Sequence, residues 1–173
     1  MSNIKMFKYE WIWEKNTGAG FIHAKNRPLK RHENILVFSK GGMGHKSLLG
    51  DNRMNYNPQD LVAQKTVRKN GVSGTTIGAR PSHKDNLVSE WTNYPTTILN
   101  YKNNKGLHPT QKPVALFEYL IKTYTSVGDT ILDNCAGSGT TGVACKNLNR
   151  NFILIEKEPE YCKIADQRLN NLL

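Results

Sequence analysis

Apolar residues recur with a period of two at the start of the chain: Phe7, Tyr9, Trp11 and Trp13 are interleaved with Lys8, Glu10 and Ile12. That period predicts a strand rich in aromatics. Asn16-Thr17-Gly18-Ala19-Gly20 then reads as a turn or loop. Asn34-Ile35-Leu36-Val37-Phe38 is a short apolar run, predicting a buried strand. Tyr9–Trp13 and Ile35–Phe38 are expected to pair as an antiparallel ribbon. Lys25, Arg27, Lys30 and Arg31 cluster around Pro28 between them, so a basic loop would sit at one end of the sheet.

The period changes further on. Val114, Phe117, Leu120, Ile121 and Tyr124 follow helical spacing and give one apolar face. Pro113 suits the first turn of that helix. Thr130-Ile131-Leu132 predicts a strand, and so does Phe152-Ile153-Leu154-Ile155. A helix lies between them, opened by Thr140 or Thr141, whose hydroxyl can accept from free amides at a helix start. Glu158-Pro159-Glu160 begins a last helix that turns Tyr161, Ile164, Ala165, Arg168 and Leu169 inward. The carboxyl-terminal third is therefore a βαβ unit with flanking helices. Ser39 to Asn104 has neither period: it is rich in Gly, Asn, Thr and Lys and reads as a loosely ordered insertion.

The bend after the first βαβ strand carries the candidate chemistry. Asp133 ends that strand, Gly137-Ser138-Gly139 follows, and Glu156 ends the second strand. Glycines let the backbone approach a ligand where a Cβ would collide. An acid at the second strand's end is placed to accept hydrogen bonds from a ribose. Gly137-x-Gly139-x-x-Gly142 formally matches the dinucleotide fingerprint, but Asp133 would repel a pyrophosphate. The ammonium and sulfonium of S-adenosylmethionine would instead be attracted. No Lys follows the glycines, which excludes a P-loop. A plain strand–turn–helix without a ligand has the same outline, and the acid at each strand end is what favours a site. Thr110 and Lys112 precede a helix start, where an anionic group is held well.

Charge separates the two parts of the chain. Residues up to Thr110 carry 17 basic and 7 acidic side chains, whereas the rest carries 7 of each. A basic field confined to the front suggests a polyanion, most simply nucleic acid. Lys65, Arg68 and Lys69, with Arg80, His83 and Lys84 further on, extend it into the insertion, where Trp91 and Tyr94 could stack or pack. A solvated basic surface kept for solubility has the same composition. At 173 residues the chain can bury roughly 70% of its unfolded surface. It has no apolar run long enough for a bilayer, and no membrane role is expected. Cys135, Cys145 and Cys162 have no disulfide-framework or zinc spacing, in keeping with a reducing cytoplasm.

His108-Pro109-Thr110-Gln111-Lys112-Pro113, then Asp133-Asn134-Cys135-Ala136-Gly137-Ser138-Gly139-Thr140-Thr141 and Ile155-Glu156, resemble the cofactor-binding half of amino-group DNA methyltransferases. Their order is similar to the permuted β class, in which the cofactor motifs come last. Tyr9 to Trp13, then Pro28-Leu29 with His32-Glu33, resemble the sheet-closing part of phage-type members. Tyr56-Asn57-Pro58-Gln59 and Tyr94-Pro95 resemble pieces of the target-recognition region. The resemblance implies an α/β, incomplete Rossmann-like methyltransferase fold, a three-layer αβα arrangement with a loop-rich target-recognition insertion. It implies sheet-closing strands in 1–40, the insertion in 41–107 and the S-adenosylmethionine-binding part in 108–173. Asp133 would meet the cofactor's ammonium, Glu156 its ribose, and Thr110 and Lys112 its carboxylate. Ala136, Gly137, Ser138, Gly139 and Thr140 would lie against it. Lys25, Arg27, Lys30, Arg31, Lys65, Arg68 and Lys69 would contact double-stranded DNA, with adenine the favoured target.

One departure from the family pattern is large. Its catalytic signature is an Asp, Asn or Ser followed by Pro-Pro and an aromatic, and none of the 7 prolines here adjoins another. No catalytic residue is therefore assigned. The chain reads as the carboxyl-terminal part of a methyltransferase, inactive alone: a truncated gene, a late start site or one half of a split enzyme, whose catalytic part a separate chain or self-association could supply. The alternatives are a binding remnant without chemistry and an NAD-binding protein.

Overall fold

The structure, a computed structural model, describes residues 3–69, 86–103 and 110–170. The backbone forms two compact units, 58–95 and the remainder. In chain order the elements are β1 (Phe7–Ala19), β2 (Lys30–Phe38), the single turn α1 (Lys46–Leu49), β3 (Val62–Lys69), β4 (Asn86–Thr92), β5 (Ile98–Asn100), α2 (Val114–Tyr124), β6 (Thr130–Asp133), α3 (Thr140–Asn147), β7 (Asn151–Leu154) and α4 (Pro159–Asn170).

In the larger unit, β1 lies between β2 and β5. The expected ribbon is present: β1 and β2 run antiparallel with Tyr9 opposite Val37 and Trp11 opposite Ile35. Strand β5 pairs parallel on the other edge, Trp13 opposite Leu99. Strand alternation sends Trp11 and Trp13 into the core, where they are 2% and 1% exposed. Each buried indole N–H has a partner: Trp11 Nε1 donates to Tyr124 Oη at 2.5 Å, and Trp13 Nε1 to the Tyr101 carbonyl at 2.8 Å. The turn expected at Asn16–Gly20 falls later, because β1 continues through Ala19. Gly18 permits this, since a Cβ there would stand 3.0 Å from Leu29 Cβ.

Helix α2 does more than its sequence pattern predicts. Leu116 and Tyr119 join Trp11, Trp13, Val37, Met54 and Leu99 in one core cluster. Ile121 packs with Ala144 and Cys145 in a second, which Phe117, Ile131 and Phe152 flank. The helix therefore buries two faces rather than one, because it lies between the two clusters. Strands β6 and β7 pair parallel, Thr130 opposite Asn151 through Asp133 opposite Leu154, with α3 as their crossover. Alternation turns Ile131 and Phe152 inward and leaves Leu132 and Ile153 61% and 52% exposed. Among the described residues, β6 pairs with β7 alone.

The smaller unit adds a strand pair that the sequence reading of a loosely ordered insertion did not foresee. β3 and β4 form an antiparallel ribbon, Ala63 opposite Trp91 and Arg68 opposite Leu87, with an irregularity between Ala63 and Thr66. Asn93 Nδ2 donates to the Asp60 carbonyl at 2.7 Å beside the ribbon's start. Both residues adopt a left-handed backbone, φ 61° and 59°, which Asn and Asp tolerate well. The polar composition concealed a strand pair.

Candidate functional site

Parallel pairing brings the carboxyl ends of β6 and β7 side by side, and with them the two acids. Asp133 Oδ1 accepts from the Cys135 amide at 3.0 Å, and its Oδ2 accepts a short hydrogen bond from the Thr141 hydroxyl. The carboxylate is thus aimed by donors from the bend and from the first turn of α3. Glu156 Oε2 accepts from the Gly137 amide at 2.7 Å. Its Oε1 accepts from the amides of Lys157 and Glu158 at 2.8 and 3.0 Å. The glycine bend is closed onto the second acid.

Gly139, not a threonine, caps α3. It sits at φ 76°, and no side-chain cap bond is present. A Cβ on Gly139 would come within 2.8 Å of Ala165 Cβ, so the bend and α4 touch through its missing side chain. The threonine hydroxyls are engaged otherwise: Thr141 on Asp133, and Thr140 on Arg168. Arg168 Nη1 donates to the Ser138 carbonyl at 2.6 Å, to Ser138 Oγ at 3.0 Å and to Thr140 Oγ1 at 3.4 Å. Burial lowers the guanidinium's pKa below its ordinary value. Ser138 Oγ in turn donates to Gln111 Oε1 at 2.8 Å, tying the bend to the segment before α2.

A cavity of about 410 Å³ opens at this junction. Thr110, Lys112, Asp133, Ala136, Gly137, Ser138 and Thr140 line its polar end, and Phe117, Leu120, Ile121 and Leu132 form an apolar wall. Gly139 packs against Ala165, and Glu156 holds the amide of Gly137. The volume lies within the range of small-ligand and cofactor pockets. Lys112 Nζ donates to the Thr110 carbonyl at 3.0 Å and lies 3.3 Å from Glu33. Lys15 also forms an ion pair with Glu33. Burial pushes the Glu33 carboxyl up, but the Lys15 and Lys112 ammoniums outweigh it and hold the carboxyl below its ordinary range.

Among the polar side chains of this site, the sequence reading missed Gln111, Thr141 and Arg168. Gln111 and Thr141 lie inside motifs whose other residues drew attention. Arg168 carried its own signal, a cation on the inward side of an amphipathic helix.

The basic residues fall in both units. Lys25, Arg27, Lys30 and Arg31 are exposed on the β1–β2 hairpin loop and the start of β2. Arg31 also lies 3.8 Å from Glu14. In the smaller unit, Lys65 is exposed on β3, and Arg68 and Lys69 continue that strand opposite Leu87 and Asn86. Arg80, His83, Lys84, His108 and Pro109 lie outside the described residues.

A family model described as DNA methylase, of the N6 and N4 amino type, matches residues 1–167. The chain belongs to that family, and the resemblance read from its motifs is borne out. It is 34% identical to the type II methyltransferase M.HpaI of Haemophilus parainfluenzae over 172 residues, covering 98% of this chain and 47% of that protein. It is 32% identical to M1.MboII of Moraxella bovis, covering 96% of this chain and 64% of that one. Among solved structures, the M1.HpyAVI complex with S-adenosylmethionine is 30% identical with a TM-score of 0.55, covering 95% of this chain and 62% of that one. The PvuII cytosine-N4-specific DNA methyltransferase, at 18% identity, shares the fold with a TM-score of 0.58. The fold is therefore the α/β fold of S-adenosylmethionine-dependent methyltransferases. The chain spans about half to two thirds of the length of these relatives.

Proposed function

We propose that this chain is the cofactor-binding and DNA-binding part of an S-adenosylmethionine-dependent DNA methyltransferase that modifies an exocyclic amino group, with adenine as the base. The observation that carries the reading is the cavity that Asp133 lines beside the glycine bend. A fixed carboxylate there favours a cationic amino-acid moiety over a pyrophosphate, and this supports S-adenosylmethionine over NAD. Thr110 and Lys112 would hold the cofactor's carboxylate, Ala136 to Thr140 would contact it closely, and Glu156 would brace the bend next to the ribose. The resemblance of the front segment to adenine-modifying phage members supports adenine. Methyl transfer is an in-line attack of the amine on the methyl carbon, so the protein's contribution is mainly positioning and charge stabilisation.

The 173 residues contain no Pro-Pro, so the same reading assigns them no methyl transfer alone. The grip on the target amine would come from a part outside these 173 residues. Exposed Leu132 and Ile153 on the β6–β7 pair support a covering element of that kind. The basic hairpin and Lys65 support double-stranded DNA as partner, and the smaller unit would serve target recognition.

Calorimetry with S-adenosylhomocysteine and with NAD tests the pocket. The first ligand should bind and the second should not. Asp133→Ala should weaken S-adenosylhomocysteine binding roughly tenfold, the loss of about one charge-assisted hydrogen bond, while DNA retention is unchanged. Preferential NAD binding, or equal affinity in the variant, sinks the reading. Labelled methyl incorporation into mixed-sequence DNA by the chain alone would overturn the inactivity.

A further inference from the structure

The tip of the β1–β2 hairpin is apolar in an unusual way. Phe21 and Ile22 are 80% and 90% exposed, among the most exposed large hydrophobic side chains of the described residues. They sit on a single 3-10 turn, Phe21–His23, entered through Gly20 at φ 90°. The turn is closed by its own backbone. His23 N donates to Gly20 O at 2.9 Å, Ala24 N to Phe21 O at 3.0 Å, and Arg27 N to His23 O at 3.0 Å. This is a formed knob rather than a slack loop, so little ordering is needed when it meets a partner.

Its surroundings identify that partner. From Lys15 to His32 the chain contains no Asp or Glu, while Lys25, Arg27, Lys30 and Arg31 are all exposed. A pair of apolar side chains inside a cationic collar matches a duplex, with phosphates for the collar and a base step for the apolar pair. The hairpin also projects beyond the core. Trp13 is the last buried residue of β1, and the strand runs six more residues to Ala19, roughly 20 Å at the usual rise.

We propose that Phe21 and Ile22 form a wedge that enters the base stack of double-stranded DNA, with Lys25, Arg27, Lys30 and Arg31 holding the flanking phosphates. The proposal rests on the DNA reading above and deepens it. Chemistry on an exocyclic amine inside a duplex requires the base to leave the stack. A wedge at the vacated step opposes its return. Nothing covalent is involved: the apolar side chains take over part of the stacking that the bases lose.

The experiment uses the 173-residue chain and an alternating d(TA) duplex in which one adenine is replaced by 2-aminopurine, whose fluorescence rises when it unstacks. TA steps unstack readily, which favours detection. The wild-type chain should raise the fluorescence severalfold at saturation. The double variant Phe21→Ala/Ile22→Ala should bind about tenfold more weakly, in line with the loss of one stacked aromatic, and should lose the rise. Both side chains are exposed, so the variant should fold, which near-UV circular dichroism checks. Phe21→Trp should retain the rise. Lys25→Ala/Arg27→Ala should keep the rise per bound chain but flatten the salt dependence by about two counterions.

Binding without a rise, or a rise that persists in the double variant, overturns the wedge and leaves DNA binding standing. Absence of binding at low salt removes both readings. If the double variant keeps DNA affinity but loses binding to anionic phospholipid vesicles, the knob is a lipid contact and the wedge is refuted.

Discussion

Replacing Arg168 with Met tests whether α4 sets the shape of the glycine bend. Met keeps most of the apolar stem and removes the guanidinium. One Nη1 has two hydrogens, so of the three acceptors it approaches, Ser138 O at 2.6 Å and Ser138 Oγ at 3.0 Å take the main bonds, and Thr140 Oγ1 at 3.4 Å the weakest. A hydrogen bond from a charged group contributes about 1.5–3 kcal/mol. The guanidinium is itself partly desolvated, a cost that Met does not carry, so the net loss is smaller than the two bonds added. Ser138 is only 3% exposed, and water reaches its orphaned carbonyl poorly. We expect Arg168→Met to lower stability by ~1–2 kcal/mol in urea unfolding. The effect on the ligand follows from Ser138 Oγ, which also donates to Gln111. Once the bend relaxes, both walls of the cavity shift together. S-adenosylhomocysteine affinity should then fall by about tenfold, equivalent to ~1.4 kcal/mol. Arg168→Lys, which can still serve one Ser138 acceptor, should fall between. Calorimetric affinities within twofold of each other across wild type, Lys and Met would refute the coupling, whatever the stability change.

Gly139→Ala should destabilise by about 2–4 kcal/mol, because a left-handed backbone costs ~1–2 kcal/mol and the new methyl meets Ala165 Cβ at 2.8 Å. Gly128→Ala, at φ 85° with nothing within 4 Å, should cost only the backbone share. Equal urea midpoints for the two variants would rule out the contact between bend and α4. Glu33 gives a pH signature. Its folded pKa lies below its ordinary value of 4.5, so its stabilisation is present above that value and is lost as pH falls through the lower, folded one. Glu33→Gln should therefore flatten the acid limb of the stability profile while leaving the neutral limb's shape unchanged. An unaltered acid limb in thermal melts would show that the Lys15 and Lys112 ion pairs contribute nothing.

Much of the fold was legible where the period was strong. The alternation Phe7, Tyr9, Trp11, Trp13 marked β1, and the partner run at Ile35–Phe38 marked β2. The apolar runs at Thr130–Leu132 and Phe152–Ile155 marked β6 and β7. What escaped is instructive. Leu116 and Tyr119 lie off the single stripe that helical spacing predicts, and only a helix held between two clusters has use for them. The β3–β4 ribbon escaped because Gln64, Lys65 and Thr66 interrupt Val62, Ala63 and Val67, which breaks the period of two. The acids of the site were legible by charge, but their donors were not. Backbone amides leave no trace in composition, and a threonine after a glycine bend reads first as a helix cap.

That distinction changes the weight each acid carries. A carboxylate offers about four lone-pair sites. Asp133 uses two, on the Cys135 amide and the Thr141 hydroxyl, and it lines the cavity. It keeps acceptor capacity directed at a ligand, and its orientation is fixed before the ligand arrives, which lowers the cost of binding. Glu156 accepts three backbone amides, from Gly137, Lys157 and Glu158. Most of its capacity holds the bend in shape. The two acids that looked equivalent in sequence thus divide the work. Asp133 supplies the charge that distinguishes a cationic ligand from a pyrophosphate, and Glu156 fixes the amides that bring the backbone close. Removing the Asp133 charge should therefore alter which ligand is preferred, whereas removing Glu156 should weaken binding of every ligand the cavity accepts.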